Sequence, residues 1–121
     1  MPKVTFGQKV QELRRQRGFT QRDLTQELQA RGVKADFTYL SKIENNRLEA
    51  PPSEALIRAL AQVLNTNAEE LLELAGKFDQ RALQEVVNEM PEAGVLLRML
   101  QSREISREDI QKLIQRRERR K

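Results

Sequence analysis

Short apolar runs at helical spacing, each opened by a polar capping residue, recur along this 121-residue chain and restrict it to a succession of short helices. A cap is needed because the first amides of a helix have no acceptor within it. Phe6, Val10 and Leu13 stand at i, i+4 and i+7, and their helix stops at Gly18, where a left-handed end needs no Cβ. Thr20 caps the next helix, with Asp23 reaching back and Phe19 packing on Leu24. Leu24 and Leu28 carry that helix to about Arg31, before Gly32. Asp36 caps a third helix, Ser53 a fourth with Leu56, Leu60, Ala61 and Leu64 on one face, and Asn67 a short fifth with Leu71, Leu72 and Leu74. Between the third and fourth, NNRLEAPP is a loop, since adjacent prolines lack amide donors and push the preceding residue away from helical angles. Five helices thus precede Gly76, with apolar positions enough for one small shared core.

Beyond Gly76 the pattern changes without dissolving. Asp79 opens a helix with Leu83, Val86, Val87 and Met90, Pro91 interrupts it, and EAGVLLRML adds Val95, Leu96, Met99 and Leu100. Ser106, with Ile105 and Ile110 as its apolar staple, opens a last helix carrying Leu113 and Ile114. A segment of about 45 residues seldom sustains a core alone. These stripes are therefore expected to dock on the first domain, on a second copy or on another protein. The closing QRRERRK reads as a frayed, solvated tail, with a phosphate-contacting arm as the alternative.

Composition narrows the chemistry. Hydrophobic residues make up 38% and charged residues 33%, with only 4% aromatic, so material for a β-sandwich is missing. The chain has no cysteine and no histidine, which removes thiol chemistry, disulfides, the commonest zinc ligands and the base of most nucleophilic triads. The 18 acidic residues are accounted for as caps, first-turn charges and exposed faces, so no enzyme, metal or cofactor is expected. The amino terminus is too polar for a signal peptide, and no apolar run approaches the ~18 residues needed to cross a membrane. The expected location is the bacterial cytoplasm or nucleoid. Net charge is +4, unevenly spread. Met1 to Arg47 carries ten bases against five acids, whereas Leu48 to Gly76 carries Arg58 alone against five acids. One part can face phosphate and the other would avoid it, although solvated helix faces also give sums of this size.

The stretch DFTYLSKIENNR sharpens this reading. Wound at about 100° per residue, it puts Leu40 and Ile43 on one side, Thr38 and Lys42 on the other, and Tyr39 at the flank. Phe37, about 60° from the Leu40 direction, is assigned to the core. Two short helices joined by a turn, the second exposing small polar and basic side chains, fit the major groove of B-DNA, about 12 Å wide.

TQRDLTQEL, then FTYLSKIENN, then PPSEALIRALAQVLNTNAEELLELAG resemble the phage-repressor-like helix-turn-helix family, the Xre/Cro class, across residues 6 to 76. The resemblance implies a five-helix lambda-repressor-like DNA-binding domain over residues 1–76. With the apolar stripes beyond it the chain is expected to be all-α, with a C-terminal helical extension over 77–121 for dimerisation or partner binding. The resemblance also implies a DNA-facing set of Gln21, Arg22, Thr38, Tyr39, Lys42, Asn45 and Arg47. Gln21 matches a glutamine that holds a backbone phosphate, and Thr38 and Lys42 match positions that meet base edges. Tyr39 lies beside them within reach of a phosphate or a base, and Asn45 matches a residue whose amide group approaches phosphate. Arg14 and Glu44 match an ion pair of architectural role linking the first and third helices.

Two departures stand out. The link QARGVKA between Leu28 and Asp36 is longer than the turn of about three or four residues the motif expects. Asn46 stands where the family commonly carries glycine, and asparagine tolerates left-handed angles better than most residues. The resemblance implies a sequence-specific double-stranded DNA-binding regulator of transcription, a repressor acting by occupancy. Because a single motif of this size buries too little for specific affinity, a homodimer is expected. Self-association is expected through Leu83, Val86, Val87, Met90, Leu96, Met99 and Leu100. The alternative is an interaction protein, an antitoxin or a regulator controlled by a zinc metallopeptidase, whose C-terminal helices bind that partner.

Overall fold

The computed structural model describes residues 4–119, and among them the chain forms eight α-helices and no strand. They fall into two compact units, one ending at Phe78 and the other beginning at Asp79. The first holds α1 (Phe6–Gln16), α2 (Gln21–Ala30), α3 (Phe37–Glu44), α4 (Glu54–Leu64) and α5 (Ala68–Leu74). The second holds α6 (Gln80–Glu89), α7 (Pro91–Gln101) and α8 (Arg107–Arg119).

Helix starts in the first unit are built by side chains that supply a missing acceptor. The Thr20 hydroxyl accepts from the Asp23 amide at 3.0 Å, while the Asp23 carboxylate accepts from the Thr20 amide at 2.9 Å. Asp36 accepts from the Tyr39 amide, Ser53 from Leu56, and Asn67 from Glu69 and Glu70. Thr5 and Gln8 form a further reciprocal box at α1, a cap the sequence reading did not include. Helix ends repeat as well. After α1, α2 and α3 the residue with positive φ is Gly18, Gly32 and Asn46 respectively. The following amide then turns back to the helix, Phe19 to the Arg14 carbonyl, Val33 to Leu28 and Arg47 to Lys42, at 3.0, 3.1 and 2.9 Å. Asn46 makes its turn at φ 56°.

The core of this unit is organised on α4, whose Leu56, Ile57, Ala59, Leu60, Ala61, Val63 and Leu64 are all buried. α1, α2 and α5 each pack against it, while α3 packs on α1 and α2. Val10, Leu24, Leu28 and Leu40 are fully inaccessible. Each such side chain stabilises the fold by about 1.5–3 kcal/mol relative to exposure. Two expectations fail. Phe37 is 51% exposed, because it stands a turn ahead of Leu40 and borders an open hollow with Phe19 and Arg22 instead of the core. Leu74, the last residue of α5, likewise lies open, beside Phe6, Leu48 and Pro51.

In the second unit α6 and α7 pack together, with Gly94 close to Val87. No residue of α6, α7 or α8 is buried: Leu83, Val87 and Met99 are half-buried, and Val86, Met90, Leu96 and Leu100 are exposed. The expected frayed tail is corrected as far as Arg119, because Gln115–Arg119 continue α8, with basic residues in a last turn that the helix dipole favours. Arg120 and Lys121 lie outside the described residues.

One close approach is decisive. A Cβ on Gly7 would stand 2.2 Å from the Ile43 carbonyl oxygen and 2.7 Å from the Asn46 side-chain oxygen. Gly7→Ala is expected to lower stability by about 2 kcal/mol or more, since α1 must move off α3 and the loss exceeds alanine's helix preference of ~1 kcal/mol. Urea unfolding of the full chain checks this, and an unchanged midpoint contradicts it. The α2 cap adds a pH dependence. The bond from the Thr20 amide, then that from its hydroxyl, hold the Asp23 carboxyl below the ordinary value of 3.8. Its contribution is present above the unfolded-state value and lost as pH falls through the lower folded one. The stability deficit of Asp23→Asn in thermal melts should therefore shrink as the solution is acidified below the ordinary value.

Candidate nucleic-acid interface

The candidate site rests on a buried carboxylate. Glu44, the last residue of α3, receives the Arg14 fork from α1, Nε to Oε2 at 2.7 Å and Nη2 to Oε1 at 3.0 Å. The third guanidinium nitrogen, Nη1, donates to the Phe19 carbonyl at 2.8 Å, and the Gln21 amide of α2 donates to Glu44 Oε1 at 3.0 Å. The two charged side chains are 9% and 1% exposed. A buried charge is tolerable only when paired and fully hydrogen-bonded, which is the case here. Among the described residues no buried side-chain polar atom lacks a partner. One carboxylate therefore joins α1, the turn into α2, the first residue of α2 and the end of α3.

With that end fixed, α3 has one inward and one outward face. Leu40, Ile43 and Glu44 are buried, while Thr38, Lys42, Asn45 and, just beyond the helix, Arg47 are exposed. Tyr39 is half-buried and packs against the core, leaving only part of its ring to solvent. The Asn45 amide donates to the Ser41 carbonyl at 2.8 Å, closing the helix end. Arg22 is exposed at the start of α2, and Gln21 and Arg22 border the same hollow as Phe37. Arg22, Lys42 and Arg47 enter no ion pair among the described residues. Gln21 differs from the rest of the set, because one hydrogen of its carboxamide is committed to Glu44.

The long link between α2 and α3 is packed. Gly32 and Val33 return their amides to the end of α2, Ala35 is buried at 4% exposure, and its carbonyl accepts from the Gln29 side chain at 3.2 Å. Arg31 pairs with Glu27 at 3.0 Å, so Lys34 is the link's free-standing base among the described residues. Sequence reasoning missed the joint between α1 and the end of α3, where the Gly7 amide donates to Asn46 Oδ1 at 3.3 Å. The available signal was a glycine inside a helical pattern. The Phe19 carbonyl and the Gln21–Glu44 bond left no signal, being a main-chain acceptor and a contact distant in sequence.

A helix-turn-helix domain profile matches residues 7–77 of the chain. A chain of the solved SinR protein/SinI protein complex is 22% identical, with 96% of this chain and 97% of that chain covered at a TM-score of 0.49, a likeness too distant to carry structural detail. No curated protein matches.

Removing one partner of the buried pair leaves the other charge stranded. Arg14→Met is expected to cost about 3–5 kcal/mol in chemical unfolding, and the added Glu44→Met change should recover a substantial part of that loss. Additive costs would show that the two side chains do not act as one unit.

Proposed function

The chain belongs to the helix-turn-helix domain family, and on that premise we propose that it is a sequence-specific double-stranded DNA-binding regulator of transcription, of the Xre/Cro class and acting as a repressor. The observation that carries the reading is the division of α3, whose Leu40, Ile43 and Glu44 are anchored while Thr38 and Lys42 stand in solvent on the opposite side. A helix so held enters the major groove as a rigid unit. Thr38 offers a hydroxyl or a methyl for thymine, and Lys42 addresses guanine O6 or N7 or a phosphate. Gln21, Arg22, Asn45 and Arg47 serve as backbone contacts that position the protein, with Tyr39 at the edge of the surface. Repression follows from occupying a promoter, a role that fits the cytoplasm or nucleoid of a bacterium.

Specific affinities of about 10⁻⁸ to 10⁻¹¹ M exceed what a single domain of this size supplies, so the working form is a homodimer on an inverted repeat. The exposed apolar residues of α6 and α7, Val86, Met90, Leu96 and Leu100, support an association surface in the second unit, with half-buried Leu83, Val87 and Met99 beside them. The same exposure supports a second reading, an interaction protein whose C-terminal helices bind an unlike partner such as a regulatory metallopeptidase.

Selection from a random duplex pool near physiological salt tests the first reading. The parent should enrich an inverted repeat, and the folded Thr38→Ala/Lys42→Ala variant should lose or relax that preference. Enrichment of nothing by the parent removes the regulator reading for the isolated chain. Arg47→Gln should weaken all sequences alike and lower the slope of log K against log salt by about 0.9.

A further inference from the structure

α8 is the helix least held by its neighbours. Among the described residues none of the substantial helix–helix packings involves it, and a helix of 13 residues is marginal in water by itself. Ile110, Leu113 and Ile114 form its apolar stripe, with Leu113 53% exposed. Asp109 and Arg116 flank that stripe. They are seven residues apart, a rotation of only ~20° short of full turns, so both lie on the same edge. Both are exposed, and neither enters an ion pair among the described residues. The helix dipole explains acid in the first turn and base in the last, but any edge would satisfy the dipole.

The arrangement is self-complementary in one orientation. Laid antiparallel on its own copy, α8 sets Ile110 against Leu113 of the second copy twice, and Asp109 beside Arg116 of the second copy twice. Arg117 then faces only Ser106. A parallel pairing sets Asp109 beside Ile114 and forfeits both ion pairs. We propose that α8 pairs antiparallel with α8 of a second copy about a two-fold axis near residues 111 and 112, and that the Asp109–Arg116 contacts fix its direction. The inference rests on the homodimeric form of the reading above and names the contact that orients the dimer.

Sedimentation equilibrium of the full chain tests it, with parent, Asp109→Arg, Arg116→Asp, the double exchange and Glu108→Arg. Glu108 lies off the seam, so its substitution repeats the first-turn charge change without touching the pairing. Each single exchange at the seam should weaken dimerisation about 10-fold, the double exchange should restore it to within about 3-fold, and Glu108→Arg should leave it unchanged. The differences should contract at high salt. A dimeric parent whose seam exchanges have no effect, or whose double exchange is no better than the singles, overturns the α8 contact and leaves the dimer standing. A parent monomeric at every concentration overturns both, while the DNA selection reports independently on the reading surface.

Discussion

The first unit depends on the hydrogen-bonded burial of one carboxylate. Glu44 ends α3, and its oxygens are claimed by Arg14 and Gln21 while Arg14 also holds the Phe19 carbonyl. Apolar packing alone would let α3 slide along or rotate against its neighbours, because dispersion and the hydrophobic effect are not directional. The ion pair adds direction. It sets the rotation of α3 about its axis and ties that rotation to the α1–α2 turn, so the outward face is defined by what the inward face must satisfy. Such a pair adds little net stability over an apolar replacement, yet strongly penalises arrangements that leave it incomplete.

A second constraint acts on the same end of α3. Asn46 turns the chain in the left-handed region and at the same time accepts the Gly7 amide, an orphan donor at the start of α1. Two helix termini, the end of α3 and the beginning of α1, are thereby satisfied by one residue. The Gly7 backbone fits only because nothing projects from it. Orientation by Glu44 and closeness by Gly7 and Asn46 together make the α1–α3 contact stiff at the end of the helix that carries the exposed candidate residues.

What the sequence disclosed sorts by range. The Thr20–Asp23 box, the Asp36, Ser53 and Asn67 caps and the Gly18 and Gly32 ends involve residues within a few positions of one another, and each was legible from residue type and spacing. The inward and outward faces of α3 followed from periodicity, which is also local. Phe37 was misplaced because periodicity gives a direction around a helix but not where along it the covering neighbours stop. The end of α8 was misread as frayed because its bases were weighed as solvated charge, although their place in a last turn favours a helix. The direction of the Gln21 carboxamide toward Glu44, 23 positions away, and the Gly7 contact depend on tertiary geometry that no local pattern carries. Of the candidate site, the exposed residues were thus readable and the bracing beneath them was not, apart from the Arg14–Glu44 pair that the family resemblance implied.

The separation of the two faces of α3 also bears on how such a chain changes over generations. Thr38 and Lys42 make no packing contact on which the core relies, whereas the residues that lock the helix lie on its other side and in α1 and α2. Substitutions at the outer positions meet almost no folding threshold, so selection on them is left to whatever the surface touches. A duplicated copy can drift at those positions while remaining folded. The architecture thereby separates the part of the sequence that must be inherited intact from the part free to diverge.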